Sequence, residues 1–361
     1  MKLLDKAKKT KDSVAKQALK TEADQTFKCY KKLIRKVKKK YHSEFNKKLK
    51  DLKTSNPREY WNLINNHDKP AAKESKVSLR DLTTHFQSLA ALPATAQQCQ
   101  DVPVGLVDQG NEQLNATFTL TEIQTCIRKL KNKASGAGNI LNEFLKNCPD
   151  KVLLIIVKLF NMVLESSVVP SEWCTGIIQA LFKGKGSDQD PSNYRGITLL
   201  SCVGKLFTAC LNNRLSKYTE EFKILGNEQA GFRSGFSTVD HIFSLNVIID
   251  YYIKRGKRLY CAFVDYSKAF DTINRAALWE KVINAGVNGK FLKIIYQLYK
   301  QAKSCVKKDS MFSDFFPCEM GVRQGENLSP LLFTLFLNDF KDFISTSYRG
   351  LDLMLNTLIG C

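Results

Sequence analysis

The first pattern along the chain is helical. Phe27, Tyr30, Ile34, Val37, Tyr41, Phe45, Leu49 and Leu52 recur at spacings of three and four, and lysines crowd the positions between them. That spacing lays one apolar stripe along an otherwise basic helix. Asn56-Pro57 ends it, because proline disfavours helical backbone in the residue before it. Residues 90–116, rich in Ala, Gln, Pro and Gly, hold no period and read as a connector. Order resumes at Thr119. Thr119 and Glu122 have the spacing of a capping box, and Ile123, Ile127 and Leu130 form the stripe of a short helix. Ser135-Gly136-Ala137-Gly138-Asn139 then breaks the period. A further helix is predicted from Asp150 to about Ser166, with Leu153, Ile156, Val157, Phe160 and Val163 inward and Pro170 closing it.

From residue 175 the period shortens. Gly176–Phe182 reads as a strand running into Lys183-Gly184-Lys185-Gly186. Tyr194–Leu199 reads as its hairpin partner beyond the polar turn at Pro191-Ser192-Asn193. Ser201 is placed to cap a helix that carries Val203, Leu206, Phe207, Cys210 and Leu211 on one face. An apolar helix covers about 238–253. Ala262-Phe263-Val264-Asp265 reads as a buried strand that presents Asp265 at its end. Helices are predicted from Asn274 to Asn284 and around 290–301. The polar loop Gly321–Asn327 leads into a helix with Ser329 as N-cap and Pro330 at the first helical position. No repeat of 20–50 residues is present. Strands and helices that do not alternate regularly suggest an α+β domain.

Composition narrows the class. The chain has 361 residues, is 43% hydrophobic and carries a net charge of +20. Residues 1–58 hold 20 Lys or Arg against 6 Asp or Glu, so +14 of the +20 sits in the basic helix. Such an excess favours a polyanionic partner, nucleic acid foremost. Lys36-Val37-Lys38-Lys39-Lys40 also has the composition of a nuclear-import patch. The 11 cysteines include no Cys-x-x-Cys pair, which speaks for reduced thiols and against zinc ribbons or a disulfide framework. Met1-Lys2-Leu3-Leu4-Asp5 lacks the apolar core of a signal peptide, and no apolar run reaches 18 residues. The expectation is a protein of nucleus or cytoplasm, not secreted and not in a membrane.

Four segments carry chemistry together. They are the Lys-Gly-Lys-Gly hairpin with Tyr194-Arg195-Gly196-Ile197-Thr198-Leu199; Gln229-Ala230-Gly231-Phe232-Arg233; Phe263-Val264-Asp265 with Lys268-Ala269-Phe270-Asp271; and Gly321-Val322-Arg323-Gln324-Gly325 with Leu328-Ser329-Pro330-Leu331-Leu332-Phe333. In this order and spacing, roughly over residues 118–340, they resemble the reverse transcriptase domain of non-LTR (LINE-type) retrotransposons. Residues 133–145 are similar to the extra N-terminal motif of that family, with Ala137-Gly138-Asn139 where a Pro-Asp-Gly pattern is expected.

The resemblance implies right-hand polymerase fingers and a partial palm, preceded by a basic helical extension. It divides the chain into the extension (1–70), a linker (71–117) and the reverse transcriptase part (118–361). It implies template-directed nucleotidyl transfer by a two-metal mechanism, with an RNA template, a DNA primer and Mg²⁺. Asp265 matches the metal-binding, catalytic aspartate. Arg195 matches a residue on the triphosphate, assisted by Lys183 or Lys185. Phe270 matches the bulky residue beside the incoming sugar. Gln324 and Gly325 match the loop against the nascent base pair. Gln229, Phe232 and Arg233 match a template-contacting segment. Asp271, just ahead of a helix, reads as a structural cap.

One element of the pattern is missing. The family places an aromatic-Ala-Asp-Asp hairpin downstream of Gln324, and this sequence contains no Asp-Asp pair. Two-metal chemistry clamps ions about 3.5–4 Å apart between several carboxylates. Two such ions repel by roughly 4 kcal/mol even in water, and one carboxylate cannot fix both. The expectation is therefore a truncated domain, without the thumb, that is inactive as an isolated chain. The alternatives are a non-enzymatic nucleic-acid-binding remnant or a relic with no role.

Overall fold

A computed structural model describes residues 13–56, 59, 77–93, 111–130, 140–226 and 229–340. The chain separates into two compact units, 1–74 and 75–361. Among its described residues the first unit contains the helix α1 (Ser13–Ser55). It stops at Asn56, whose amide still bonds to Leu52; Pro57 lies outside the described residues. Of the predicted stripe, Ile34, Phe45, Leu49 and Leu52 are half-buried, while Val37 is exposed. The side chains of Phe27, Tyr30 and Tyr41 are outside the described set.

The second unit opens with α2 (Leu79–Ala90), inside the segment expected to be a linker. The 71–117 linker therefore needs correction. Ser78 accepts from the Asp81 amide as a side-chain N-cap, and Leu82 and Phe86, one turn apart, are buried. They meet Ile178, Tyr194, Val306 and Phe316 in a small core beneath the sheet. Two fully buried side chains of this size contribute about 2 kcal/mol each, enough to hold a short helix on a sheet. Residues 94–110 lie outside the description.

Next come α3 (Glu112–Asn115), α4 (Leu120–Lys129), α5 (Asn142–Asn147), α6 (Asp150–Ser166) and α7 (Ser171–Cys174). Thr119 caps α4 as expected, and Ile123 and Ile127 are buried. The Glu122 carboxylate does not return to Thr119; it pairs with the Arg214 guanidinium at 2.7 Å. In α6 Leu153, Ile156, Phe160 and Val163 are buried. It ends at left-handed Ser167 (φ 55°), whose amide bonds to Val163, three residues before the proline expected to close it. The glycine-rich break at 135–139 lies outside the described residues.

The sheet starts with β1 (Thr175–Phe182), paired antiparallel to β2 (Tyr194–Leu200) with Gly176 opposite Leu200. Four helices follow: α8 (Cys202–Glu221), α9 (Thr238–Lys254), α10 (Arg275–Asn284) and α11 (Gly289–Lys300). Ser201 stands at the N-cap of α8 but makes no side-chain cap bond. Then β3 (Lys303–Lys308) lies parallel to β1, with Thr175 opposite Lys303. Short β4 (Met311–Phe312) and β5 (Phe316–Pro317) both pair with β3. The chain then enters α12 (Ser329–Phe336). Ser329 is the first residue of α12 rather than its capping side chain, and its hydroxyl lies within hydrogen-bond distance of Tyr299 and Glu326 instead. The main core runs from Leu114 to Leu335 and gathers Phe160, Phe207, Phe291, Leu292 and Tyr299, all fully buried.

Residues 257–266 form no strand. Tyr260, Phe263 and Val264 are exposed, Phe263 to 85%, and Asp265 is exposed with them. The predicted buried strand is thus not formed. A strand needs a ladder partner for its amides and carbonyls, and none of the described strands pairs with this segment.

Candidate functional site

A cleft of about 880 Å³ opens between α2, the β1–β2 hairpin, the 266–271 turn and the loop before α12. Its walls carry Lys183, Arg195, Phe232, Lys268, Phe270, Asp271, Gln324 and Gly325. Five of the expected nucleotide or template residues therefore converge with Arg195: Lys183, Phe270, Gln324, Gly325 and Phe232.

Two loops build the floor. In the first, left-handed Lys268 (φ 55°) folds the chain so that its carbonyl accepts from the amides of Asp271 (2.8 Å) and Thr272 (3.2 Å). The second loop docks on the first by backbone bonds: the Val322 amide donates to Phe270 (2.7 Å) and the Gly321 amide to Ile273 (2.9 Å). It also closes against the open edge of β2, where the Thr198 amide donates to the Gln324 carbonyl at 2.9 Å. Both glycines are needed for the approach. Gly321 (φ 72°) and Gly325 (φ 111°) hold left-handed backbone, and a Cβ there would stand 2.6 Å from the carbonyl oxygens of Phe270 and Thr198 respectively.

Buried charge stiffens the loop from below. The Arg275 guanidinium is buried and donates to the carbonyls of Tyr299, Cys318, Met320 and Gly321. Arg323, also buried, donates to the Trp173 carbonyl at 2.9 Å. Glu326 accepts from the Tyr299 hydroxyl at 2.8 Å. Burial, reinforced by the Glu326 charge, raises the Tyr299 phenol well above its usual range, so it stays a donor.

Phe270 sits half-buried in an aromatic stack. Its ring lies nearly parallel to Phe333 (5.1 Å, 15°) and edge-on to Phe232 (6.2 Å, 88°). Phe232 is half-exposed and left-handed (φ 60°), which turns it into the cleft. Arg195 on β2 is exposed. The Lys183 ammonium donates to the Ser192 carbonyl at 2.8 Å, holding the hairpin turn shut. On the same wall the Asp271 carboxylate accepts from the Gln324 carboxamide at 2.9 and 3.0 Å. Burial raises the Asp271 carboxyl above the usual range; the Gln324 hydrogen bond and the nearby Lys268, Lys183 and Arg195 oppose the rise. The expected cap role of Asp271 passes to Asn274, whose side chain accepts from the Ala277 amide.

Three expected residues lie elsewhere. Asp265 is one residue outside the wall, on the exposed irregular segment. Arg233 is consumed internally: its guanidinium pairs with Glu220 at 2.7 Å, donates to the carbonyls of Gly226 and Gln229, and stacks on Phe236. Gln229 is buried, and its side-chain carboxamide has no hydrogen-bond partner among the described residues. Neither residue lines the cleft.

Among the described residues no three His, Cys, Asp or Glu side chains group as a metal site would require. A hard divalent cation takes six or more oxygen ligands, and Asp265 alone on an exposed strip does not supply them. The described residues therefore do not fit the expected Mg²⁺.

Sequence reasoning overlooked the contributions of α2 and Lys268. His85, Phe86 and Leu89 line the cleft from α2. Burial, with help from Lys268 and Lys183, lowers the His85 imidazole below its ordinary value, against an opposing pull from Asp190. The signal was present: Ser78 ahead of Leu82, Phe86 and Leu89 is a capped helix with three- and four-residue spacing.

Comparison with known proteins identifies relatives of the chain. Residues 183–357 match the family model for reverse transcriptase (RNA-dependent DNA polymerase). The chain is 27% identical over 274 residues to a probable RNA-directed DNA polymerase from transposon X-element of Drosophila melanogaster, covering 74% of this chain and 29% of that protein. It is 27% identical over 226 residues to the RNA-directed DNA polymerase from mobile element jockey of Drosophila funebris, covering 62% and 24%. It is 24% identical over 233 residues to the Pol polyprotein from type-2 retrotransposable element R2DM of Drosophila melanogaster, covering 64% and 21%. The chain thus spans under a third of the length of these relatives. Over residues 183–357 it carries a reverse transcriptase domain related to those of the non-LTR retrotransposon RNA-directed DNA polymerases.

Proposed function

We propose that the cleft holds the incoming deoxynucleoside triphosphate of an RNA-directed DNA polymerase, and that residues 118–340 supply its fingers and the first part of its palm. The convergence of Lys183, Arg195, Phe270 and Gln324 on one wall carries this reading. A planar guanidinium suits bidentate contact with phosphate, and lysine adds a point charge. Phe270, wedged between Phe232 and Phe333, is rigid enough to bound the sugar. Phe232, half-exposed on the same wall, is the template-facing aromatic, because every base offers a face for stacking. RNA template and DNA primer are the nucleic acids this reading requires.

Polymerisation by these 361 residues alone is not part of the proposal. The sequence has no Asp-Asp pair and the described carboxylates build no metal centre. Equilibrium binding of dGTP by the full chain tests the reading. Arg195→Ala, which removes an exposed side chain, weakens binding about tenfold, the loss of roughly 1.4 kcal/mol of charged contact. Equal affinity in the two proteins refutes the phosphate role. Primer extension on an RNA template yields no product; incorporation that disappears in Asp265→Ala refutes the expected inactivity.

A second reading rests on α1, where Lys28, Lys31, Lys32, Arg35, Lys36, Lys39, Lys40, Lys47, Lys48 and Lys50 are exposed. This helix tracks a nucleic-acid backbone by charge, without reading bases.

A further inference from the structure

We infer that Cys126 and Cys210 form a thiol pair open to oxidation by hydrogen peroxide: Cys126 is attacked first, Cys210 resolves it, and the resulting disulfide ties α4 to α8. The pair lies outside the cleft.

Two rungs join the same faces of the two helices. Glu122 and Cys126 stand one turn apart on α4, and Cys210 and Arg214 stand one turn apart on α8. The Arg214 guanidinium grips the Glu122 carboxylate at 2.7 and 2.8 Å, and the two sulfurs lie 3.3 Å apart. The charged rung sets the register of the helices and keeps the thiols opposed. At 3.3 Å no atom fits between the sulfurs. The two are not equivalent. The Cys126 sulfur accepts two hydrogen bonds, from the Cys210 thiol and from the Asn213 carboxamide at 3.1 Å. Donors of this kind favour a thiolate. The Cys210 bond, aided by Lys129 and Asn213 and opposed by burial and the Glu122 charge, lowers the Cys126 thiol below its ordinary value. The same bond, together with burial, raises the Cys210 thiol. Cys126 keeps 2% exposure and Cys210 none. A cavity of about 510 Å³ opens beside the pair, with Thr125, the chain neighbour of Cys126, and Asn213 on its wall. Peroxide, little larger than water, enters there and passes Asn213 to reach Cys126.

The chemistry runs in two displacements. The Cys126 thiolate attacks one oxygen of hydrogen peroxide. The O–O bond breaks, and the departing hydroxide takes up the proton the thiol had released, giving one water and a sulfenic acid. The Cys210 sulfur then attacks the Cys126 sulfur. The S–O bond breaks, and the second hydroxide leaves as water with the Cys210 proton. Two thiols lose two electrons in all, and one peroxide is reduced to two waters. A thiol pair of this kind stays reduced in a reducing compartment and responds only when peroxide rises.

The test is a map of cysteine pairs. The reduced 361-residue chain is treated with hydrogen peroxide, its free thiols are blocked with N-ethylmaleimide, and the unreduced digest is read by mass spectrometry. The expected product is a peptide pair joined through Cys126 and Cys210 that dithiothreitol separates. It is about tenfold more abundant than the same pair from chain oxidised in urea, because the fold holds the sulfurs together. Absence of that link, or equal yield from the unfolded chain, overturns the inference. In Cys210→Ala the reaction stops at the sulfenic acid, and dimedone labels residue 126. In Cys126→Ala dimedone leaves Cys210 unlabelled; labelling there overturns the order of attack. If either variant fails to fold, the wild-type map alone decides. The bond joins residues 84 apart in sequence, so the oxidised chain melts about 5 °C or more above the reduced one, and dithiothreitol reverses the rise. An oxidised chain that melts no higher refutes the tie between the helices.

Discussion

Gly321→Ala is the sharpest probe of how the cleft is assembled. Two costs add. Alanine at φ 72° occupies a left-handed backbone that an L side chain adopts at about 1–2 kcal/mol. The new Cβ would also stand 2.6 Å from the Phe270 carbonyl oxygen and 2.8 Å from that of Asp271. Both obstacles are backbone, so relief requires the two loops to separate. Separation breaks the bonds from Val322 to Phe270 and from Gly321 to Ile273, each worth about 1 kcal/mol. The total is about 3–4 kcal/mol. Gly235→Ala is the control, because Gly235 has the same hand (φ 85°) but open space around it, leaving only the conformational cost of about 1–2 kcal/mol. Urea unfolding of the wild-type chain and both variants reads the difference. The expected result is a Gly321→Ala loss exceeding that of Gly235→Ala by about 2 kcal/mol, with dGTP affinity reduced in the first variant alone. Equal losses refute the docking of the two loops.

Arg275→Ala strands four carbonyls in a buried site and is expected to cost about 3 kcal/mol or more in urea unfolding; a loss under 1 kcal/mol rejects the clamp. The raised Asp271 carboxyl gives a pH prediction. The folded state binds this proton more tightly than the unfolded state, so between the usual aspartate value and the raised one stability falls as pH rises. Asp271→Asn therefore unfolds at higher urea than wild type at pH 7, and the gap narrows on acidification; a gap independent of pH contradicts the shift. Removing residues 1–58 flattens the salt dependence of single-stranded RNA binding by about 0.7 in log–log slope for each phosphate lost. An unchanged slope excludes the α1 reading.

Local pattern carried far in this chain. The Thr119 cap, the α6 stripe, the register-bearing hairpin at 175–200 and the Asn274 helix start all depend on neighbours within a few residues, and all form as the spacing predicts. What failed depended on partners distant in sequence. The Asp265 segment has the composition of a buried strand but no described strand beside it. The ion pair and carbonyl contacts of Arg233, which the resemblance matches to a template contact, depend on Glu220, Gly226 and Gln229 folding around it. The residues of β3 to β5 were not assigned at all. Their alternation is short, and the turn at left-handed Asp309 uses Asp-Ser rather than a glycine pair. The cleft residues were legible as a set because their order is distinctive. The Asp271–Gln324 bond was not, since 53 residues separate the two.

The parallel pairing of β1 with β3 has a consequence for synthesis. The hairpin partner of β1 leaves the ribosome almost immediately after it, but its other neighbour starts at residue 303, while β1 starts at residue 175. At translation speeds of about 5–20 residues per second, that interval is roughly 6–26 seconds. A hairpin closes in microseconds, so a nascent two-stranded ribbon waits with one flank bare for a very long time on its own clock. Slowing elongation between those points lengthens the wait and raises the share of chains captured by chaperones or lost to precipitation.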